Sequence, residues 1–129
     1  MKMEVGFPGG VAVTARFKGF MVPTDQPKDA GGGESAPSPF ELFLASLATC
    51  AGFFALRFCQ SRKLPTEGLE VELEPGWDAA AHRLAKVRIS VKLPAGFPDK
   101  YRGAILKAVD QCAVKRVLLD PPAFEVSAV

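Results

Sequence analysis

The sequence predicts an α+β fold. Three observations predict it: a long uncharged helical stretch in the middle of the chain, alternating strand patterns on both sides of it, and no regular βαβ alternation or internal repeat. The 129 residues suit a single domain spanning 1–129.

The chain is organised around Ser38–Arg62. Ser38 can cap a helix, Pro39 fits its first position, and Glu41 completes an S-x-x-E capping box. Leu42 to Leu56 then carry no charge. Phe40, Phe43, Leu44, Leu47, Ala51, Phe54, Ala55 and Phe58 follow helical spacing, while Leu42, Ala45, Phe53 and Leu56 fall elsewhere on the wheel. A helix apolar nearly all round lies inside a protein or a membrane. The uncharged run is 15 residues and is interrupted by Ser46, Thr49 and Gly52. A membrane span takes about 18 or more, so a core helix is expected. One small domain covers such a helix poorly, and a second subunit would finish its burial.

The remaining elements follow in chain order. Met1–Phe7 and Val11–Phe17 read as a hairpin around Gly9-Gly10, with Phe20–Pro23 as a third short strand. Thr24–Pro37 reads as a loop. Its triple glycine lacks the G-x-x-x-x-G-K pattern of a phosphate loop and reads as a flexible connector. Leu69–Leu73 and His82–Leu93 alternate as antiparallel strands, joined by a turn-rich Glu74–Ala81. Their inward residues are Leu69, Val71 and Leu73, then Leu84 or Ala85, Val87, Ile89, Val91 and Leu93. Asp99–Asp110 reads as helix, Cys112–Leu119 as its continuation or a second short helix, and Ala123–Val129 as a terminal strand.

Composition narrows the function. A net charge of +2 is too small to imply nucleic acid or an acidic membrane surface. The N-terminus has no long apolar segment of a signal peptide, which favours the cytoplasm. Three cysteines do not make a secreted disulfide framework, and one histidine without C-x-x-C gives no zinc signature. No metal or cofactor is expected.

The candidate reactive groups are Cys50, in the apolar helix, and Cys112, at or near a helix start, where thiol pKa falls. Asp110 is a candidate cap for that helix. Cys59 is nine residues past Cys50 and projects to the opposite side of one straight helix, which excludes a bridge between them. A Cys50–Cys112 pair is open. Each cysteine could equally be a small apolar core residue. Glu41 is explained by capping alone, and Arg16 by a solvated strand position.

The segment Gly33–Leu42 (GESAPSPFEL) with Leu44–Cys50 (LASLATC), and downstream Ala108–Val114 (AVDQCAV), resembles the OsmC/Ohr family. The S-P-x-E-L wording is closest to its OsmC-like branch, typified by YhfA. The resemblance implies an OsmC-like fold of antiparallel sheets around a buried central helix, assembled as an intertwined homodimer. It implies a thiol-dependent peroxidase acting on organic hydroperoxides or hydrogen peroxide in oxidative stress defence. Cys50 would be the peroxidatic thiolate and Cys112 the resolving thiol, with a dithiol such as dihydrolipoamide as reductant. Arg16, the only arginine before the helix, would offset the desolvation of Cys50, with Glu41 as its partner. The Ohr-type glutamate position is occupied here by Phe40; Glu41, one residue later, would project away from Cys50 on a straight helix. Two further readings use the same scaffold: a binding protein for small apolar ligands or acyl-thiols, and a redox sensor without turnover.

Overall fold

The structure, a computed structural model, describes all residues from Met1 to Val129. It divides into two compact units, Met1–Ala45 and Ser46–Val129.

In the first unit, β1 (Glu4–Gly9), β2 (Ala12–Phe17) and β3 (Phe20–Thr24) form an antiparallel sheet with β2 in the centre. Val5 stands opposite Ala15, and the register shifts between Gly6 and Gly9. Lys18 and Gly19 join β2 to β3 with φ of 49° and 81°. Two positive φ values in a two-residue loop make the mirror-image turn that matches strand twist. After β3 comes Asp25, only 5% exposed. Its carboxylate accepts hydrogen bonds from the Ser35 hydroxyl at 2.6 Å and from the backbone N–H groups of Gln26, Ser35 and Gly33 at 2.8, 3.0 and 3.2 Å. These bonds, the Ser35 hydroxyl foremost, lower its pKa to about 2. The triple glycine is therefore tied down rather than a flexible connector. Gly32 has a steric reason to be glycine, because a Cβ there would lie 1.9 Å from the Gln26 carbonyl oxygen.

The long helix α1 runs Pro39–Ser61, within a residue of the expectation at either end. Its capping box forms as read: Glu41 N–H donates to Ser38 Oγ at 3.2 Å, and Ser38 N–H donates to Glu41 Oε2 at 2.7 Å. Leu47, Ala51, Ala55, Phe58 and Cys59 are buried, whereas Phe53 is 54% exposed.

The second unit holds the core. Ala51, Ala55, Phe58 and Cys59 of α1 pack with Ile105 and Val109 of α2 (Arg102–Val109). Against them lie Val71 of β4 (Glu70–Asp78) and Ile89 and Val91 of β5 (Arg83–Lys92), which pair antiparallel. Apolar residues alternate inward as expected, with Leu84 rather than Ala85 on the covered side. Glu74–Arg88 and Glu70–Lys92 pair across the open face. Such exposed pairs contribute about 0–1 kcal/mol each.

Three expectations need correction. The turn-rich reading of Glu74–Ala81 is too long, because β4 continues to Asp78. In a two-stranded sheet each strand has an open edge, so Pro75 does not break the ladder, and a bulge at Gly76/Trp77 takes up the irregularity. The helix expected over Asp99–Asp110 opens with a 3-10 turn at Asp99–Tyr101, whereas Cys112–Leu119 agrees with the second of its two readings, a separate short helix, α3 (Ala113–Leu119). Ala123–Val129 is not a strand in the single chain; Phe124 and Val126 are 87% and 97% exposed. An alternating pattern supplies side-chain faces but not the neighbouring edge that a strand needs.

By length and composition α1 passes the criteria for a membrane span, with mean hydropathy 1.8 and 28% of the window buried. The uncharged run is shorter than a span, but the whole helix of 23 residues is not. The core helix of a folded domain passes the same criteria, and α1 lays a stripe of buried residues against α2.

Candidate active site

Cys50 sits on α1, half-buried, and Cys112 lies at the start of α3, 1% exposed; both are free thiols. The link between α2 and α3 is a tight turn. Asp110 closes α2, its N–H donating to Leu106 O, and Cys112 N–H donates to Val109 O at 3.3 Å. Asp110 is therefore not the cap of α3. Cys112 is: its sulfur accepts from Lys115 N–H at 3.5 Å. Asp110 instead accepts from Lys115 Nζ.

The first N–H groups of any helix lack partners within it. At α3 the two sulfurs take them. Lys115 N–H goes to Cys112, while the N–H groups of Val114 and Ala113 support Cys50, together with the Cys112 thiol. Burial pushes the Cys50 thiol up, but these donors outweigh it and the pKa falls below its usual value. Burial raises Cys112, and so do its hydrogen bond to Cys50 and the negative charge there. The pair is thus split: Cys50 is made the more acidic thiol and Cys112 the less acidic one. Cys59, fully buried in the core, has its pKa raised by burial and matches the reading of an inert apolar filler.

Next to Cys112 lies a cavity of about 340 Å³. Its walls are Leu47, Val87, Ile89, Val91, Leu106, Val109 and Leu118, with Asp110 and Lys115 as the charged members. Cys112 faces it directly.

The structure thus brings together Cys50 and Cys112. Arg16 is an exposed residue on β2, opposite Glu4 and Met21, and no ion pair joins it to Glu41. Glu41 is engaged in the α1 cap. Sequence reasoning missed the amides of Ala113 and Val114. The signal for them was present: a short helix that restarts immediately after a cysteine offers its first amides to whatever sulfur lies beside it. No cluster of metal-ligating side chains is present.

A family model for OsmC-like protein matches residues 31–127, which include both cysteines. The chain belongs to the OsmC-like family. No curated protein matches the sequence. Among solved structures, the OsmC-like chain resembles a candidate osmotic stress induced and detoxification response protein of Psychrobacter arcticus, with TM-score 0.76 and 22% identity over 90% of this chain and 86% of that one. It also resembles an organic hydroperoxide resistance protein OsmC of Legionella pneumophila (TM-score 0.61, 17% identity, 92% and 89% covered). A third neighbour, a candidate organic hydroperoxide resistance protein of Vibrio cholerae with captopril in one of its active sites, gives TM-score 0.52 and 19% identity over 91% and 84%. At these identities the likeness establishes the fold, an α+β architecture of antiparallel sheets and a long central helix. Two of these neighbours are named for organic hydroperoxide resistance.

Proposed function

We propose that the protein is a thiol-dependent peroxidase that reduces organic hydroperoxides or hydrogen peroxide. One observation carries the reading: the fold sets Cys50 beside Cys112 at the start of α3, where the Cys112 side chain and the amides of Val114 and Ala113 lower the Cys50 pKa while burial raises that of Cys112. Cys50 thiolate attacks the terminal peroxide oxygen. The O–O bond breaks, the alkoxide leaves and is protonated to the alcohol, and Cys50 becomes a sulfenic acid. That step removes the negative charge which held the Cys112 thiol up, so Cys112 becomes more acidic as its thiolate is needed. Cys112 sulfur then attacks Cys50 sulfur, water leaves, and a disulfide closes. A dithiol such as dihydrolipoamide restores two thiols by exchange.

The apolar cavity against Cys112 supports a preference for hydroperoxides with a hydrocarbon body. Arg16 enters the proposal as an added cation favouring the Cys50 thiolate, while Glu41 keeps its place in the α1 cap. The proposal further takes 1–129 as one OsmC-like domain in a cytoplasmic, intertwined homodimer. The exposed Phe53, Leu56, Phe20 and Met21 support it, because apolar surface of this extent calls for a covering partner.

The test is intact-mass measurement of reduced protein after one equivalent of cumene hydroperoxide. Wild type is expected to lose two hydrogens, with the bridge mapped to Cys50–Cys112. Cys112→Ser should be trapped as the Cys50 sulfenic acid, and Cys50→Ser should stay reduced. Wild type that remains reduced while a control peroxidase is oxidised sinks the catalytic reading. The cavity would then favour the second reading, a binding protein for small apolar ligands or acyl-thiols. A disulfide that forms once without turnover under excess reductant would favour a redox sensor.

A further inference from the structure

On the α1–α2 surface lies a second concavity, an open groove of about 510 Å³ that contains neither reactive cysteine. Its floor includes Phe54 and Ala104, and Arg57, Arg62 and Lys107 line it without any carboxylate among the lining residues. None of the three cations forms an ion pair in the chain. Arg57 and Arg62 reach only neutral oxygens, Gln60 Oε1 at 3.5 Å and Ser61 Oγ at 3.4 Å. The Arg62 guanidinium is held 3.8 Å above the Phe58 ring. Three uncompensated cations in one groove exceed the +2 of the whole chain.

The groove is close to the thiols in sequence and along the helices. Phe54 follows Cys50 by one helical turn, and Gln111, which closes the groove, directly precedes Cys112. The apolar cavity reaches Cys112 and is lined mostly by hydrocarbon; the groove is basic and open.

We propose that this groove docks an acidic protein that carries the reducing dithiol. The inference rests on the peroxidase reading. A shallow basic surface with a preformed arginine and an aromatic floor has the make-up of a protein interface. Charge complementarity there raises the encounter rate with an acidic partner. In the step that follows, one thiolate of the partner attacks the Cys50–Cys112 disulfide, breaking S–S and forming a mixed disulfide. The partner's second thiol displaces the protein sulfur. The partner leaves oxidised, and its two protons and two electrons end on Cys50 and Cys112.

The experiment oxidises the protein with cumene hydroperoxide and follows disulfide reduction by two synthetic peptides that share one Cys-x-x-Cys. One carries flanking glutamates and the other glutamines. The acidic peptide should be faster by about tenfold at low salt, with the advantage falling toward unity at high salt. Arg57→Gln with Lys107→Gln, both exposed positions, should abolish the advantage, while dithiothreitol reduces wild type and variant alike. Equal rates for the two peptides, or an advantage that survives the variant, overturn the docking proposal alone. A protein that forms no disulfide with the hydroperoxide overturns the peroxidase reading and the docking with it.

Discussion

In Met1–Ala45 the only buried side chains are Thr14 and Asp25, both polar; in Ser46–Val129 the buried set includes Phe58, Ile105, Val109 and two cysteines. The first unit is held by strand hydrogen bonds and by the Asp25 carboxylate, and it leaves Phe7, Phe20 and Met21 in the open. The second has a packed apolar core of its own and places Cys50 and Cys112 beside it. The proposed thiol chemistry thus falls where packing fixes geometry, and the unit that lacks an apolar core presents surface instead. A thiol pair needs its sulfurs held within a fraction of an ångström of reach, which side chains locked by packing provide.

This contrast can be tested by perturbing each unit in its own terms. The largest effect is expected at Ile105, fully buried in the second unit. Ile105→Ala should cost about 2–5 kcal/mol in urea unfolding and should also slow peroxide-driven closure of the disulfide. A cost under about 1 kcal/mol would show that the core of Ser46–Val129 is not what orders the site.

In the first unit the corresponding perturbation is electrostatic. Because the folded pKa of Asp25 is depressed to about 2, its contribution is present above the ordinary value near 3.8 and is lost as pH falls through about 2. Amide exchange of Gly33 and Ser35 should therefore lose protection as acid is added across that window. Asp25→Asn should flatten this dependence and leave the Cys50–Cys112 chemistry intact. Unchanged protection in the variant would mean that the backbone alone holds the turn.

The smallest effect is expected at the α1 cap. Ser38→Ala should cost about 1 kcal/mol, read as a shift in the urea midpoint without change in slope.

Local signals in the sequence were enough wherever neighbours in the chain decide the structure. The capping box of Ser38 and Glu41 fixed the start of α1, and alternation over Arg83–Lys92 gave β5 with its covered face. Where the deciding partner is distant, the local pattern is not enough. Pro75-Gly76 looked like a break because the sequence does not reveal that β4 has an open edge. Ala123–Val129 looked like a strand because the pattern says nothing of an available edge. At the site, both cysteines were legible from their motifs. Beside the Cys112 side chain, the groups that lower the Cys50 pKa are backbone amides, which every residue carries, and only the position of Cys112 at the α3 start distinguishes those of Ala113 and Val114. Asp110 seemed the natural cap by residue type, yet it closes the preceding helix.

The sulfur of Cys112 also caps α3, so one atom serves both the scaffold and the proposed reaction. Substitutions at this position therefore divide into two kinds. Serine keeps a cap acceptor and deletes the redox group, whereas alanine deletes both and frays α3 as well. In a lineage that abandoned thiol chemistry, the position would drift first to serine, threonine, asparagine or aspartate rather than to alanine or valine. The residue found there in a relative of this chain would record which duty, that of the helix or that of the thiol, had been kept.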